Sequence, residues 1–330
     1  MARVLIAYSP TRMGKDRAGN PCIETHILST VEQVEAALLE KGHRVERAAL
    51  QRDVSRFIGR AKRFRPHVVF NLCEQVGGDA TLEKNAVAVF ELARLRFTGN
   101  GCLALGLCLE KAMTKRILRV WRLATPEFVV VAPGEEIADF PLPAIVKPAR
   151  ADGSLGITAR SVVKSAQKLQ ARVQYVHRRF HQPALVERFV AGREFQVALL
   201  GNAEPEVLAV AELSYAGLPK GVPRIVSYSA KWRPVSSYYR HTNPMLPAKV
   251  SPKLRRTLEH AALSACRLLG LRGYARVDFR VGRAGGPQII DVNPNPDISP
   301  DAGMARAAAH AGLSYADLVH RIVELGLELP

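Results

Sequence analysis

Two strand-like stretches near the C-terminus constrain the fold of this chain more than any other feature. In residues 276–280 and 289–293, apolar side chains alternate with polar ones, which is the pattern of a half-buried β-strand. The segment between them, residues 282–287, is rich in glycine, ends on a proline and favours a turn. The sequence therefore predicts a β-hairpin.

Four polar side chains share one face of this predicted hairpin. Residues two apart in a strand point to the same side, so Arg276 lies beside Asp278 and Asp291 lies beside Asn293. Carboxylate and amide oxygens are ligands that Mg²⁺ accepts together with phosphate oxygens. We therefore predict that Asp278, Asp291 and Asn293 hold Mg²⁺, with Mn²⁺ as a substitute ion. The alternative is an exposed hairpin whose acids only pair with Arg276 and Arg280.

Size, cysteine content and charge limit the class of protein. The chain has 330 residues, enough for two or three domains, and contains no apolar run near the ~20 residues of a membrane span. Its 5 cysteines form no C-x-x-C pair, which argues against a disulfide framework and favours a cytoplasmic location. The net charge of +17 is spread along the chain without an aromatic-interleaved basic stripe. We interpret it as solvated surface that attracts anionic substrates, with nucleic-acid binding as the less favoured alternative.

Residues 1–99 alternate between strand and helix patterns, which predicts a parallel, Rossmann-like sheet covered on both faces. Strands are predicted at Val4–Tyr8, Val45–Leu50 and Val68–Leu72, and helices at Thr25–Lys41 and about Thr81–Leu95. Ligands of such sheets bind beyond the carboxyl ends of the strands. The loops at residues 9–24 and 71–79 are therefore candidate substrate loops, and Glu74 is a candidate substrate contact. The alternative for Glu74 is an ordinary surface loop with a glycine turn.

The central part of the chain places a lysine directly before a loop of small residues. Lys147 ends a predicted strand that begins at Ala144, and the loop Arg150–Ile157 follows. Its glycines let backbone N–H groups approach phosphate oxygens closely, although it lacks the ending of a Walker loop. The strand and connector Ala184–Val190 offer a slot for adenine, and Glu194 is placed to accept from ribose hydroxyls. A surface salt bridge is the alternative role for Glu194.

The remaining elements are predicted from periodicity and capping residues. They are strands at Val207–Leu213 and Arg224–Ser229, a long irregular loop at Arg233–Val250, and helices from Pro252 to about Leu269, at Ala302–Ala311 and at Ser314–Leu327. Ser314 and Asp317 have the spacing of a capping box.

The motifs, taken in order over nearly the whole chain, resemble those of the ATP-grasp carboxylate–amine ligases, and within them most closely the D-alanine–D-alanine ligase family. The segments that carry the resemblance are Asn71–Glu74, Glu110–Lys111, Ile145–Ile157, Val186–Phe195, Ala230–Trp232, Arg276–Asp278 and Asp291–Pro296. The resemblance implies an α/β fold with α+β ATP-grasp parts and ATP between the central and C-terminal domains. The expected domains are an N-terminal Rossmann-like domain over 1–99, a central subdomain with the lid over 100–186, and a C-terminal subdomain over 187–330.

The resemblance also implies residue roles at the nucleotide. Two lysines and a lid serine are expected at the phosphates, a four-residue hinge at the adenine and a glutamate at the ribose. These are Lys111, Lys147, Ser154, Glu187, Arg188, Phe189, Val190 and Glu194.

Three further residues are implied in the chemistry itself. Lys231 resembles the lysine that meets the transferred phosphate, Arg276 the arginine that steadies the oxyanion, and Glu74 a residue on the substrate side. The implied reaction activates a carboxylate as an acyl phosphate, because a carboxylate does not lose hydroxide at neutral pH. An amine then attacks, and the metal and lysines neutralise the anions that react.

The substrate is less constrained than the chemistry. Gly153 and Trp232 stand where D-alanine ligases have a serine and a tyrosine, Asp291 replaces a glutamate, and Asp301-Ala302 falls where a serine would hold a carboxylate. We expect small amino-acid-like substrates, and neither a nucleic-acid nor a membrane partner; a homodimer is left open. The alternatives are the same chemistry on another amino-acid or peptide pair, and a catalytically weak ATP-binding regulator.

Overall fold

The computed structural model describes residues 1–10, 24–137, 139–233, 235–283 and 285–329. The strands of these residues form three sheets, and the helices pack against them. The elements in chain order are β1 (Arg3–Tyr8), α1 (Glu24–Glu40), β2 (Arg44–Ala49), α2 (Ser55–Phe64), β3 (Val68–Leu72), α3 (Glu83–Leu92), α4 (Cys102–Leu109), α5 (Lys111–Val120), β4 (Phe128–Val131), β5 (Ala144–Pro148), β6 (Val162–Val163), α6 (Ala166–Phe180), β7 (Ala184–Arg188), β8 (Gly192–Leu200), β9 (Glu206–Ser214), α7 (Tyr228–Trp232), α8 (Ser237–Arg240), β10 (Asn243–Met245), α9 (Pro252–Leu268), β11 (Tyr274–Gly282), β12 (Pro287–Asn293), α10 (Gly303–His310) and α11 (Tyr315–Leu327).

The first sheet is parallel, with the strand order β2-β1-β3. Successive residues of β1 point to opposite faces. Val4 and Ile6 pack with α1 and α11 on one face, whereas Leu5 and Ala7 pack with α2 and α3 on the other. Both faces are therefore covered, which confirms the parallel, Rossmann-like sheet predicted from the alternation of strands and helices.

The second sheet has the order β4-β7-β5-β6 and is antiparallel. Helix α6 covers it through Leu169, Val173 and Val176, which recur at helical spacing and are buried. The helix begins after Ser165, whose side chain accepts from the backbone N–H of Lys168. This small layer holds Lys147 near the end of β5.

The third sheet has the order β10-β9-β8-β11-β12 and is also antiparallel. Helix α9 covers one face. On the other face, Ala198 and Leu200 of β8 pack with α10 and α11 in the same apolar cluster that covers the first sheet. The C-terminal helices therefore join the first and third sheets. The domain bounds at residues 99 and 186 stay a prediction.

The hairpin predicted from the polar alternation is confirmed. Strands β11 and β12 pair antiparallel, with Arg276 opposite Asn293 and Asp278 opposite Asp291. The register shifts by an irregularity directly after Asp278. The capping box that begins α11 at Ser314 is also present.

Two predictions between β9 and α9 are wrong. Arg224–Ser229 is not a strand: the Arg224 carbonyl accepts from the Arg280 side chain, and the Ser227 side chain caps α7 by accepting from Ala230. These contacts occupy backbone groups that a strand would need for a neighbour. The stretch at residues 233–250 is not wholly irregular, since it contains α8 and β10, and β10 pairs with β9.

Two smaller points concern the N-terminal part. The helix predicted at about residues 81–95 begins as a 3₁₀ turn at Ala80–Leu82 and continues as α3. Most of the candidate loop at residues 9–24 lies outside the described residues. None of the helices in the described ranges has the length and apolar content to span a membrane.

Candidate active site

Hydrogen bonds connect polar side chains on the face of β11 and β12 that carries Arg276, Asp278, Asp291 and Asn293. Val277 and Phe279, which alternate with them, are fully buried in the core of the third sheet and fix the strand. Arg276 donates to both carboxylate oxygens of Asp278, with Nε–Oδ1 at 2.7 Å and Nη2–Oδ2 at 2.9 Å. The Asn293 amide donates to Asp278 Oδ2 at 3.2 Å. Burial alone would lower the pKa of Arg276, but Asp278 raises it, so the guanidinium stays charged.

Lys111, the first residue of α5, contacts the polar face of β11 and β12. Its ammonium lies 2.8 Å from Asp291 Oδ1 and 3.2 Å from Asp152 Oδ1. Asp152 belongs to the glycine-containing loop Arg150–Ile157, which we call the lid loop. Burial alone would raise the pKa of Asp291, but Lys111 and Lys147 hold it below its ordinary value. The contact brings three segments together that are distant in sequence. The structure thus places Lys111 at the hairpin acids, while its contact with phosphate stays a prediction.

Lys147 and Glu187 form a buried ion pair with a third residue that the sequence analysis missed. Lys147 Nζ lies 2.9 Å from Glu187 Oε2, and Lys115 Nζ lies 2.8 Å from Glu187 Oε1. Burial would raise the pKa of Glu187, but the two lysines hold it below its ordinary value. Burial lowers the pKa of Lys115 to about 8, which Glu187 only partly offsets. Lys115 was detectable, because it lies four residues after Lys111 on the same helix face.

Glu187 is one of the residues of the expected adenine hinge, but its side chain binds Lys115 and Lys147. The hinge residues 187–190 comprise the end of β7 in the second sheet and the start of its connection to β8 in the third. The N–H of Phe189 donates to the Pro143 carbonyl at 2.9 Å, and that of Arg188 donates to the Glu127 carbonyl at 2.9 Å. The connector is thus tied to the second sheet at two points, while the adenine role of residues 187–190 stays a prediction.

Glu194, in β8 of the third sheet, is buried at the centre of a second network of hydrogen bonds. Its Oε2 accepts from Tyr215 at 2.7 Å and from Arg280 at 3.0 Å. The Arg280 guanidinium also stacks over the Phe189 ring, 4.8 Å from its centroid. Burial raises the pKa of Glu194, and Arg280 and Tyr215 partly offset this. Arg280 has the same-face spacing of Arg276 and Asp278, which could have identified it.

Lys231 lies in α7, and Ser154 lies in the loop at residues 150–157. Burial and Arg276 lower the pKa of Lys231, whereas Asp278, Asp291 and Asp152 act in the opposite direction, so the lysine lies near the hairpin acids. Ser154 has a left-handed backbone conformation, with φ +62°, inside the lid loop. The roles expected for both residues at the phosphates stay predictions.

Glu74 lies in an acidic group with Glu83 and Asp152, and its place on the substrate side stays a prediction. Burial raises the pKa of Glu83 well above its ordinary value, and Asp152 and Glu74 add to that shift, while a bond from Asn295 opposes it. Asn295 is held in turn, because its Oδ1 accepts from the backbone N–H of Asn100 at 3.0 Å. The sequence analysis missed Glu83 and Asn295. Asn295 lies within Asp291–Pro296, one of the segments that carry the resemblance, but no role was assigned to it.

The described residues therefore combine a parallel sheet, two antiparallel sheets and a glycine-containing loop around a hairpin lined by carboxylates, lysines and an arginine. This combination defines a ligase of the ATP-grasp class. A family model described as "D-ala D-ala ligase C-terminus" matches residues 126–324.

Relatives extend the similarity over the whole chain. The D-alanine–D-alanine ligase of Moorella thermoacetica is 31% identical over 324 residues, covering 94% of this chain and 97% of the relative. An uncharacterized protein, y4sG, of Sinorhizobium fredii is 33% identical over 261 residues, covering 78% of this chain and 74% of the relative. The chain belongs to the D-alanine–D-alanine ligase family of ATP-dependent, C–N bond-forming enzymes.

A solved structure supports the fold independently of sequence identity. The crystal structure of D-alanine–D-alanine ligase from Bacillus anthracis complexed with ATP has a TM-score of 0.78 against this chain. The match covers 99% of this chain and 98% of that one at 18% identity. At this identity the match establishes the fold, which agrees with the predicted ATP-grasp architecture.

Proposed function

We propose that this enzyme uses ATP to join the carboxylate of one amino-acid-like substrate to the amine of another, as the D-alanine–D-alanine ligases do with D-alanine. The observation that carries the proposal is the register of the hairpin. It places Arg276 opposite Asn293 and Asp278 opposite Asp291, with Lys111 bound to Asp291. Burying an ammonium group costs free energy, so a surface hairpin with no chemical role would not require a buried lysine at its acids.

ATP is proposed to lie with its phosphates at Lys111, Lys147 and the backbone of residues 150–157. A relative of the same fold carries ATP in its crystal structure. The adenine is proposed to contact the connector at residues 187–190. Glu194 is proposed to accept from the ribose, because Tyr215 and Arg280 both bind its Oε2 and fix the carboxylate.

Asp278, Asp291 and Asn293 fit Mg²⁺, or Mn²⁺ in its place. Within the described ranges no group of three or more His, Cys, Asp or Glu side chains is arranged to hold a metal ion. The ion would therefore rely on these two carboxylates, the Asn293 amide oxygen and phosphate oxygens, which is the ligand set that Mg²⁺ prefers. When bound, it would neutralise the phosphate charge that opposes attack by a carboxylate.

The proposed mechanism has two steps. A carboxylate oxygen of the first substrate attacks the γ-phosphorus of ATP, ADP leaves, and an acyl phosphate forms. The amine of the second substrate then attacks the carbonyl carbon, phosphate leaves with the bonding electrons, and the amine releases a proton. Lys231 balances charge on the transferred phosphoryl group. Arg276 donates to the developing oxyanion, which contributes about 3–4 kcal/mol on the scale of such donors.

The identity of the substrates is proposed only as amino-acid-like. Trp232 has an indole N–H, which donates and does not accept, where a tyrosine hydroxyl would do both. Asp301 is exposed at the start of α10 and would repel a carboxylate there. D-Alanine is therefore one candidate among related amino acids.

The proposal is tested by a phosphate-release screen of amino-acid pairs, in both D and L forms, with the purified protein. Release that depends on both ATP and an added amino acid supports a ligase. Release that ignores the amino acid, for every pair, contradicts it.

Two variants test the hairpin. Arg276→Ala is expected to lower kcat by about 10²–10³-fold while ATP binding persists, because the guanidinium acts on the oxyanion. Asp278→Asn is expected to abolish turnover, because it removes a metal carboxylate. Arg283→Ala, an exposed arginine in the turn of the same hairpin, is the matched control. Unchanged turnover in Arg276→Ala or Asp278→Asn would remove that residue from the mechanism.

A further inference from the structure

The lid loop is joined to α7 by a contact that its own side chains do not supply. The indole Nε1–H of Trp232 donates to the Gly153 carbonyl at 3.0 Å. A Cβ atom on Gly153 would lie 3.8 Å from the indole ring, so the ring packs directly over this glycine. Gly153 also has φ +60°, a conformation that favours glycine. Residue 153 therefore offers only its carbonyl as a fixed point.

A second bond ties the far end of the loop to the same helix. The backbone N–H of Tyr228, the first residue of α7, donates to the Ile157 carbonyl at 2.9 Å. Within the loop, the backbone N–H of Leu155 donates to the backbone carbonyl of Asp152 at 3.0 Å. Asp152 is held by Lys111 at 3.2 Å. The loop is thus held at the adjacent residues Asp152 and Gly153 by Lys111 and Trp232, and at its end by Tyr228.

The helix that carries Trp232 also carries Lys231, which lies near the hairpin acids. A loop whose backbone N–H groups receive phosphate binds more tightly when it is already ordered, because ordering it on binding costs entropy. Since Gly153 has no side chain to anchor itself, the hydrogen bond from Trp232 adds to the backbone hydrogen bonds within the loop in ordering this stretch.

We propose that Trp232 is a positioning residue that fastens the phosphate-binding loop to α7 through the Gly153 carbonyl, and thereby raises the affinity for the nucleotide. The indole N–H donates a neutral hydrogen bond to the Gly153 carbonyl. Residue 153 has no side chain that could make a contact instead. The loop and Lys231 then keep one relative position. This inference rests on the proposed binding of ATP phosphates at residues 150–157.

Trp232→Phe tests the hydrogen bond, because it keeps an aromatic ring and removes the N–H. A net hydrogen bond corresponds to a loss of between about 2- and 10-fold in affinity. We expect the Kd for a non-hydrolysable ATP analogue with Mg²⁺, measured by calorimetry on the full chain, to rise within that range. Hydrogen–deuterium exchange in residues 150–157 should be faster in the variant without nucleotide, while the melting temperature stays close to that of the wild type.

Trp121→Phe is the matched control, because Trp121 is 68% exposed and is the other of the 2 tryptophans in the chain. It should change neither the Kd nor the exchange. Equal exchange of residues 150–157 in Trp232→Phe and wild type would overturn the proposal, and so would a general loss of stability that accounts for weaker binding. If the wild-type protein binds no nucleotide, the proposed function fails, yet the exchange experiment still decides whether Trp232 fastens the loop.

Discussion

Glu187 is the residue whose substitution tests the buried charge arrangement most directly. Its side chain is 3% exposed and lies between Lys115 and Lys147, which are 4% and 8% exposed. Replacing Glu187 by glutamine keeps the shape but removes the direct counter-charge of two buried ammonium groups, which then face only the more distant Asp291 carboxylate. Removing one partner of a buried ion pair costs about 3–5 kcal/mol, because the remaining charge stays out of water.

We therefore expect Glu187→Gln to lower the free energy of unfolding by about 3 kcal/mol at neutral pH. Part of that loss should disappear in the double variant Lys115→Met, Glu187→Gln, which removes one of the uncompensated charges. The loss should also shrink as the pH rises toward about 8, the pKa of Lys115 beside Glu187, because without Glu187 the pKa of Lys115 lies lower and the lysine is already neutral in the variant. Both effects follow from the same buried charge.

The assay is urea unfolding followed by circular dichroism and by tryptophan fluorescence, with coincident transitions required. Glu46→Gln is the matched control. Glu46 pairs with Arg60, but the two side chains are 29% and 46% exposed, so solvent screens the pair and its loss should cost below about 1 kcal/mol. A cost for Glu187→Gln no larger than that of Glu46→Gln would refute the reasoning. Additive losses in the double variant would also refute it.

Two further predictions concern stability. Gly99→Ala should cost about 1–3 kcal/mol in urea unfolding, because its φ is +80° and a Cβ would lie 2.5 Å from Asn295 Oδ1. Gly59→Ala, inside α2 with nothing within 4 Å of an added Cβ, should instead be neutral or stabilising. Burial, then His320 and the N-terminus, lower the pKa of His43 below 6.5, so the unfolded state binds the proton more readily. Wild-type stability should therefore fall as the pH drops below 6.5, and the melting temperature of His43→Gln should fall less; equal slopes would contradict this.

The local elements were largely predictable, because their signals lie within a few residues of each other. The two-residue period of β11 and β12 and the turn between them predicted which side chains share a face, and the pairing of Asp278 with Asp291 confirmed it. The Ser314–Asp317 spacing predicted the start of α11 for the same reason. The strand predicted at residues 224–229 was wrong because the apolar pattern contained no signal that Arg280 would bind the Arg224 carbonyl.

The chain by itself determined the alternation of strands and helices, the hairpin and the residue types suited to metal and phosphate. Only the tertiary structure decided that Glu187 lies between two lysines and that Asn295 holds Asn100, which is 195 positions away in the chain. Backbone geometry fixes the direction of a side chain over a few residues, and this direction is written in the periodicity. The partner that a buried charge meets depends on how separate sheets pack, and no local pattern encodes that distance.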